Sequence, residues 1–250
     1  MNEKIKNNIF FFSGIAALII IWAVVSAFDK SGFILPSPKA VVVELVKKAV
    51  TKGFWIDAGN TFVRVILGFL LACVPAFVCG VWWGLKPGAH SFFIPLLTVI
   101  KSTPVVSVVL LFIFWFGTDL VPIVTCAIMT FPQVSSAVYS SVKNYPSDYL
   151  LMAKAFRLSL SAKIKYMFVP HAKNAFLSSA GTALSQSWKI VCAAEVLSLP
   201  HSGLGSSLFA AKTTVEVAAM FADTIAIIVL CGLCDWCFSL IVKKFSNRSV

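Results

Sequence analysis

Charge is scarce in this sequence. Lys, Arg, Asp and Glu together make up 12% of its 250 residues, against about 25% in a soluble domain. The hydrophobic share is 59% and the mean hydropathy +0.91. So little polar surface excludes a monomer dissolved in water and calls for lipid as the solvent. Acid is scarcer still, with 10 Asp and Glu against 21 Lys and Arg, for a formal net charge of +11. In a soluble chain that excess would point to nucleic acid. Here the basic residues lie in gaps between apolar runs and form no stripe interleaved with exposed aromatics, so no nucleic acid is expected. They orient the chain and meet anionic headgroups.

Motifs of chemistry are missing too. No Gly-x-x-x-x-Gly-Lys-Ser/Thr phosphate loop occurs, so ATP hydrolysis by this chain is not expected. His90, His171 and His201 fall in separate loops on opposite sides, and no nucleophile and base converge; the chain is not read as an enzyme. All seven cysteines lie in apolar runs, so no disulfide framework is implied. Cys231, Cys234 and Cys237 have a metal-like spacing. A metal would want a fourth ligand and polar support, so they are read as small buried hydrophobes and no metal is expected.

What is present is a series of six apolar runs, at residues 9–28, 60–85, 96–116, 119–142, 176–197 and 221–242. Each is near the ~20 residues that carry a helix across the hydrocarbon core. Lipid offers backbone groups no partner, so helices are the expected form. The first run exceeds the h-region of a signal peptide and is read as a retained anchor. With the N-terminus inside, the inner segments carry twelve Lys and Arg and the outer ones six, which predicts both termini in the cytoplasm. Residues 1–58 form an anchor and an outer segment, 59–242 the transmembrane domain, and 243–250 a cytoplasmic tail.

The outer segment holds Pro36-Ser37-Pro38, a helix start. Beyond it, Val41, Leu45, Lys48 and Ala49 share one face. That pattern fits an amphipathic helix on the membrane surface or a solvated linker helix. The inner loop at 143–175 is much the longest on its side. Ser147 is expected to cap a helix running to Arg157, and a second helix to run from near Ser161 and stop before Pro170. Two short helices there make a projecting knob, with Ala153 and Ala155 small at its centre beside Leu151, Phe156 and Leu160. Spacing alone leaves open a knob that enters a groove on a partner and a hairpin that lies on the membrane.

The stretch 152–170 resembles the cytoplasmic coupling loop of ABC-importer permeases: Glu-Ala-Ala, three residues, Gly, nine residues, Ile, one residue, Leu-Pro. Ala153 matches the second Ala, Met167 the Ile, Val169 the Leu and Pro170 the Pro. Leu151 stands in place of the Glu and Arg157 in place of the Gly. Further likenesses are to the nitrate, sulfonate and taurine subgroup. They are Leu35-Pro36-Ser37-Pro38, Asn60 to Val65 with Gly68-Phe69, Lys101-Ser102-Thr103-Pro104, Trp115-Phe116-Gly117, Ser187-Trp188-Lys189 with Ala193-Ala194-Glu195, and Gly203-Leu204-Gly205. They cover nearly the whole chain in order.

The resemblance implies an all-α inner-membrane protein of six transmembrane helices with the type I ABC-importer fold and a cytoplasmic coupling helix. It implies a permease that translocates a small solute; the subgroup also serves precursors of thiamine and riboflavin, so an anionic solute is one reading and the ligand is left open. Its implied partners are an ATP-binding subunit, which binds the ATP, an extracytoplasmic solute-binding protein, and a second copy of the permease. Leu151, Ala153, Ala155, Phe156, Arg157, Leu160 and Pro170 are the coupling candidates. A secondary transporter or channel is the alternative, expected to show repeats or dense intramembrane carboxylates.

Charges inside the runs carry the remaining expectations, because each costs about 2.5–3.5 kcal/mol at mid-bilayer. Arg64 and Asp223, near run ends, are expected to snorkel. Lys189 is the deepest, with Glu195 six residues on. Lys189 either lines the translocation path, with Glu195 shaping an outer gate loop, or pairs with Asp235 or Asp223. Gly80 and Gly84 form a Gly-x-x-x-Gly pair that lets two helices approach.

Overall fold

The computed structural model describes residues 3–29 and 34–246. Helices run in chain order as α1 (Glu3–Phe28), α2 (Pro38–Ala49), α3 (Lys52–Leu85), α4 (Pro87–Ser102), α5 (Val105–Lys143), α6 (Ser147–Ala155), α7 (Leu160–Lys163), a π-helical turn (Ile164–Phe168), α8 (Val169–Ser198), α9 (Leu204–Thr213) and α10 (Val217–Ser246). The expected domain boundaries at 58/59 and 242/243 fall inside α3 and α10.

Among the described residues, Lys52–Leu85, Val105–Lys143 and Val217–Lys244 are long and apolar enough to cross a membrane, and Ser13–Phe28 is a shorter apolar helix. The expected run at 96–116 is not one helix. Pro104 has no N–H to extend α4, so the chain breaks after Ser102 and restarts at Val105. α5 bends again at Gly117, whose φ of 69° and ψ of 170° suit a residue without Cβ. The run at 176–197 is the body of the 30-residue α8.

The core is a sheaf of α3, α5 and α8. Small residues set the α3–α5 distance. A Cβ on Gly68 would stand 2.7 Å from Cys126 Cβ, one on Gly80 would stand 2.6 Å from Val138 Cβ, and one on Gly84 would collide with Val142. With no hydrophobic drive between helices in lipid, such close backbone contact supplies the association. Val65, Phe69 and Cys73 of α3 then meet Cys126 and Val134 of α5, and Ala183, Trp188 and Val191 of α8. α3 and the second half of α5 run from one end of the sheaf to the other, and α8 returns.

α10 lies antiparallel to α8, with Ser185 Oγ donating to Asp235 Oδ2 (2.7 Å). α2 is neither a linker nor a free surface helix. Ser37 Oγ caps it by accepting from the Ala40 N–H (3.3 Å), and its predicted inner face packs on α10, with Val41 fully buried. Lys48 reaches into the bundle and pairs with Asp223 (2.7 Å), which also accepts from Ser207 of α9 (3.0 Å). Asp223 is fully buried, so it does not snorkel; a lysine from another helix supplies its counter-charge. α1 joins this end through Trp22, which stacks on Phe221 and donates to the Pro36 carbonyl.

Candidate functional site

Three features share the α8 rod: a knob at its start, a polar face at its middle and a braced loop at its end.

The knob begins at Pro146, which precedes the first turn of α6. Ser147 is therefore the first helical residue, and its hydroxyl donates to Asp148 (3.4 Å) instead of capping. The helix ends at Ala155, two residues before the expected Arg157. The Leu158 N–H bonds the Ala153 carbonyl and the Arg157 N–H bonds the Lys154 carbonyl, both at 3.0 Å. This double bond pattern is a Schellman close and requires a left-handed residue. Arg157 supplies it, with φ of 51°, at the position where the resemblance expects Gly. The turn is made despite the Cβ.

Ala153 is fully buried against its own chain. The outward set is Leu151 (63% exposed), Phe156 (73%) and Leu160 (64%), with Tyr149, Met152 and Ala155 also exposed. The helix after the knob does not stop before Pro170. Ser159 Oγ caps it by accepting from the Ala162 N–H, and it runs through the π turn into α8. The Val169 N–H bonds the Ile164 carbonyl, five residues back. This widened turn accommodates the ring and missing donor of Pro170.

The polar face follows from periodicity. Ser178, Thr182, Gln186 and Lys189 lie three or four residues apart on α8 and are all exposed. Across from them are Gln133 and Ser136 of α5, and Lys101 of α4. Gln133 Nε2 donates to Thr182 Oγ1, and Lys101 Nζ to Ser136 Oγ, both at 2.9 Å. Lys189 opens onto the same cavity of about 730 Å³. Neither expected partner holds it: Asp223 is taken by Lys48, and Asp235 accepts from Ser185. Among the described residues Lys189 makes no salt bridge.

The loop at 199–205 is braced by charge. Glu195 is fully buried and stands apart from the cavity that Lys189 lines. It accepts from Arg64 Nη1 (2.7 Å), Thr61 Oγ1 (2.9 Å) and the Gly205 N–H (3.0 Å). Arg64 is itself buried, so it does not snorkel; it also donates to the Ser202 carbonyl and lies 3.4 Å from Asp119. The first N–H groups of α9 are capped from α3: Gly203 donates to Asp57, and Leu204 to Thr61, both at 2.9 Å. Gly203 has φ and ψ near 155°, a region that glycine adopts readily, and a Cβ there would stand 2.8 Å from Arg64 Nη1. The sequence signal for this brace was Asn60, Thr61 and Arg64 on one face of a run start, opposite a Gly-x-Gly loop.

Residues 76–247 match the family described as binding-protein-dependent transport system inner membrane component. The chain belongs to that family. It is 26% identical over 229 residues to a probable ABC transporter permease protein of Haemophilus influenzae, covering 89% of this chain and 92% of the relative. It is 24% identical to the putative aliphatic sulfonates transport permease protein SsuC of Bacillus subtilis, over 92% of this chain and 83% of that one. Its fold is that of a subunit in the inward-facing MetNI methionine ABC transporter, with a TM-score of 0.60 at 15% identity over 77% of this chain and 94% of that one. The chain is an all-α permease subunit of an ABC importer with the type I transmembrane fold.

Proposed function

We propose that two copies of this permease line a solute path between their polar faces, and that separate ATPase subunits drive it by gripping the α6 knob. The observation that carries the coupling role is the set of bare apolar side chains on the knob: Leu151 in α6, Phe156 just past its end and Leu160 at the start of α7. Membrane-embedded surface has lipid to meet its apolar groups; a knob outside it needs a groove. Arg157 and Ala153 then hold the knob's shape, and Pro170 its joint with α8.

The path role rests on α8. Two exposed glutamine and lysine side chains near the middle of a membrane helix are too costly to present to lipid. A second copy related by two-fold symmetry would enclose them in water. α10 runs toward the knob end, and α1 runs the other way, its Trp22 meeting Phe221 at the far end, which supports both termini on the cytoplasmic side with the ATPases. An external binding protein would then deliver solute at the loop 199–205, which Glu195 braces. The Bacillus subtilis relative named for aliphatic sulfonates supports a small anionic solute.

The coupling role is tested by Phe156→Asp. The variant should insert in the membrane at normal levels, fail to retain the ATPase subunit on purification, and lose transport. A complex that assembles and hydrolyses ATP as wild type does would refute the assignment.

A further inference from the structure

The cavity between α4, α5 and α8 has a composition unlike the rest of the chain. It collects two cations, Lys101 and Lys189, three neutral hydrogen-bonding side chains, Gln133, Ser136 and Gln186, and no carboxylate. This is a selective arrangement, because the chain has 10 acidic residues. Those in the helices of the bundle are engaged elsewhere. Asp119 and Glu195 lie against Arg64, Asp223 against Lys48, Asp57 against the Gly203 N–H, and Asp235 against Ser185. The buried Arg64 and the half-buried Lys48 thus each have a carboxylate, whereas Lys101 and Lys189, which face the cavity, have none among the described residues.

Backbone geometry brings Lys101 there. It sits in the last turn of α4, just before the break at Thr103-Pro104. Ser136 orients its ammonium from α5 at 2.9 Å, a neutral acceptor that leaves the charge uncompensated. Lys189 approaches from α8. Met129 and Ile190 give the wall an apolar part. At about 730 Å³ the space falls in the range of small-molecule sites.

Two uncompensated lysines on one cavity at membrane depth repel each other, and each lacks a counter-charge. An anion with several oxygens relieves both costs. Its head would take N–H donors from the ammonium groups and the glutamine amides, while a short carbon body would meet Met129 and Ile190. We propose that this cavity is a binding site for small organic oxyanions within the permease itself, with Lys101 and Lys189 as its paired cations. The proposal rests on the reading that this face lines the path.

The test measures the local potential directly. Gln186→Cys is placed in a full-length chain whose seven native cysteines are replaced, reconstituted with its ATPase subunits. Its modification rates with 2-sulfonatoethyl and 2-(trimethylammonio)ethyl methanethiosulfonate are compared, each normalised to a free thiol in solution. The anionic reagent should be favoured. Lys101→Gln with Lys189→Gln should reduce that preference at least tenfold, and 1 M salt should reduce it too, since screening at that strength acts within about 3 Å. A second measurement needs no lysine variant: Ser178→Cys lies two turns away, roughly 12 Å along α8, and should show a weaker anion preference than Cys at 186. In the same assay methanesulfonate should slow modification at 186, and tetramethylammonium should not. Failure of both reagents to reach position 186 would overturn the path reading. Access by both with equal normalised rates at 186 and 178 would leave the path standing and overturn the oxyanion site.

Discussion

Glu195→Gln is the sharpest perturbation of the brace, because it keeps the side-chain shape and removes only the charge. The carboxylate accepts from Arg64, Thr61 and the Gly205 N–H, within 3.0 Å of each. A glutamine has one acceptor oxygen and one amide. Whichever way it is turned, an NH₂ faces a donor, and Arg64 loses its nearest counter-charge. Breaking a buried pair from one side costs about 3–5 kcal/mol. Arg64 keeps the Ser202 carbonyl and Asp119 at 3.4 Å, so the lower end applies. For a chain of this size about 3 kcal/mol corresponds to roughly 6–12 °C in melting temperature. The melt can be followed in detergent with a thiol-reactive dye, since Cys126 and Cys192 are buried and react only on unfolding. The double change Glu195→Leu with Arg64→Met should recover much of the loss, because removing both charges leaves none uncompensated. A single variant that melts within about 1 °C of wild type, a shift worth under 0.5 kcal/mol, would refute the account of the brace.

Gly80→Ala should cost about 1–3 kcal/mol by overpacking, because the new methyl would meet Val138 and the Ser135 carbonyl. Gly232→Ala in α10, where nothing lies within 4 Å, should be neutral or stabilising; equal effects at both sites would contradict the close α3–α5 contact. Arg157→Gly removes the cost of a left-handed Cβ, about 1 kcal/mol, and should slow hydrogen exchange at the Leu158 N–H; unchanged or faster exchange counts against the Schellman close. For orientation, a cysteine at Ser37 should react with an impermeant thiol reagent outside intact cells, and one at Ser161 only after permeabilisation. Reversed labelling would invert the assignment of the knob to the cytoplasm.

Membrane-spanning character was legible because it is a property of long windows. The α3–α5 approach was legible because Gly-x-x-x-Gly has one main physical use. Pairings across the fold were not legible. Arg64 and Glu195 are 131 positions apart, and Lys48 and Asp223 are 175 apart. Each looked like a charge near a run end, for which water is the cheapest partner. The sequence offers no way to weigh that against a carboxylate delivered by another helix. The burial of Ala153 was not legible for a related reason: a short helix of small and apolar residues does not say which side its parent bundle occupies.

Pro170 shows how a local rule is overridden without being violated. The residue before proline is biased away from the helix, and the proline ring excludes an ordinary i to i−4 bond. A stop was therefore expected, which would have made the second half of the knob a separate element. A π turn lengthens the bond to five residues and leaves room for the ring. Leu160 to Ser198 is consequently one helical rod of 39 residues, roughly 58 Å long at 1.5 Å per residue. Its start carries the exposed Leu160 of the knob, its last third Lys189, and its last turn Glu195. A break at Pro170 would let the knob pivot independently of the cavity and the braced loop. With the rod continuous, a displacement at either end has to bend the helix, deform the π turn or move the whole of α8. The sheaf packing against Trp188 and Val191 makes the first two the local alternatives to rigid-body motion.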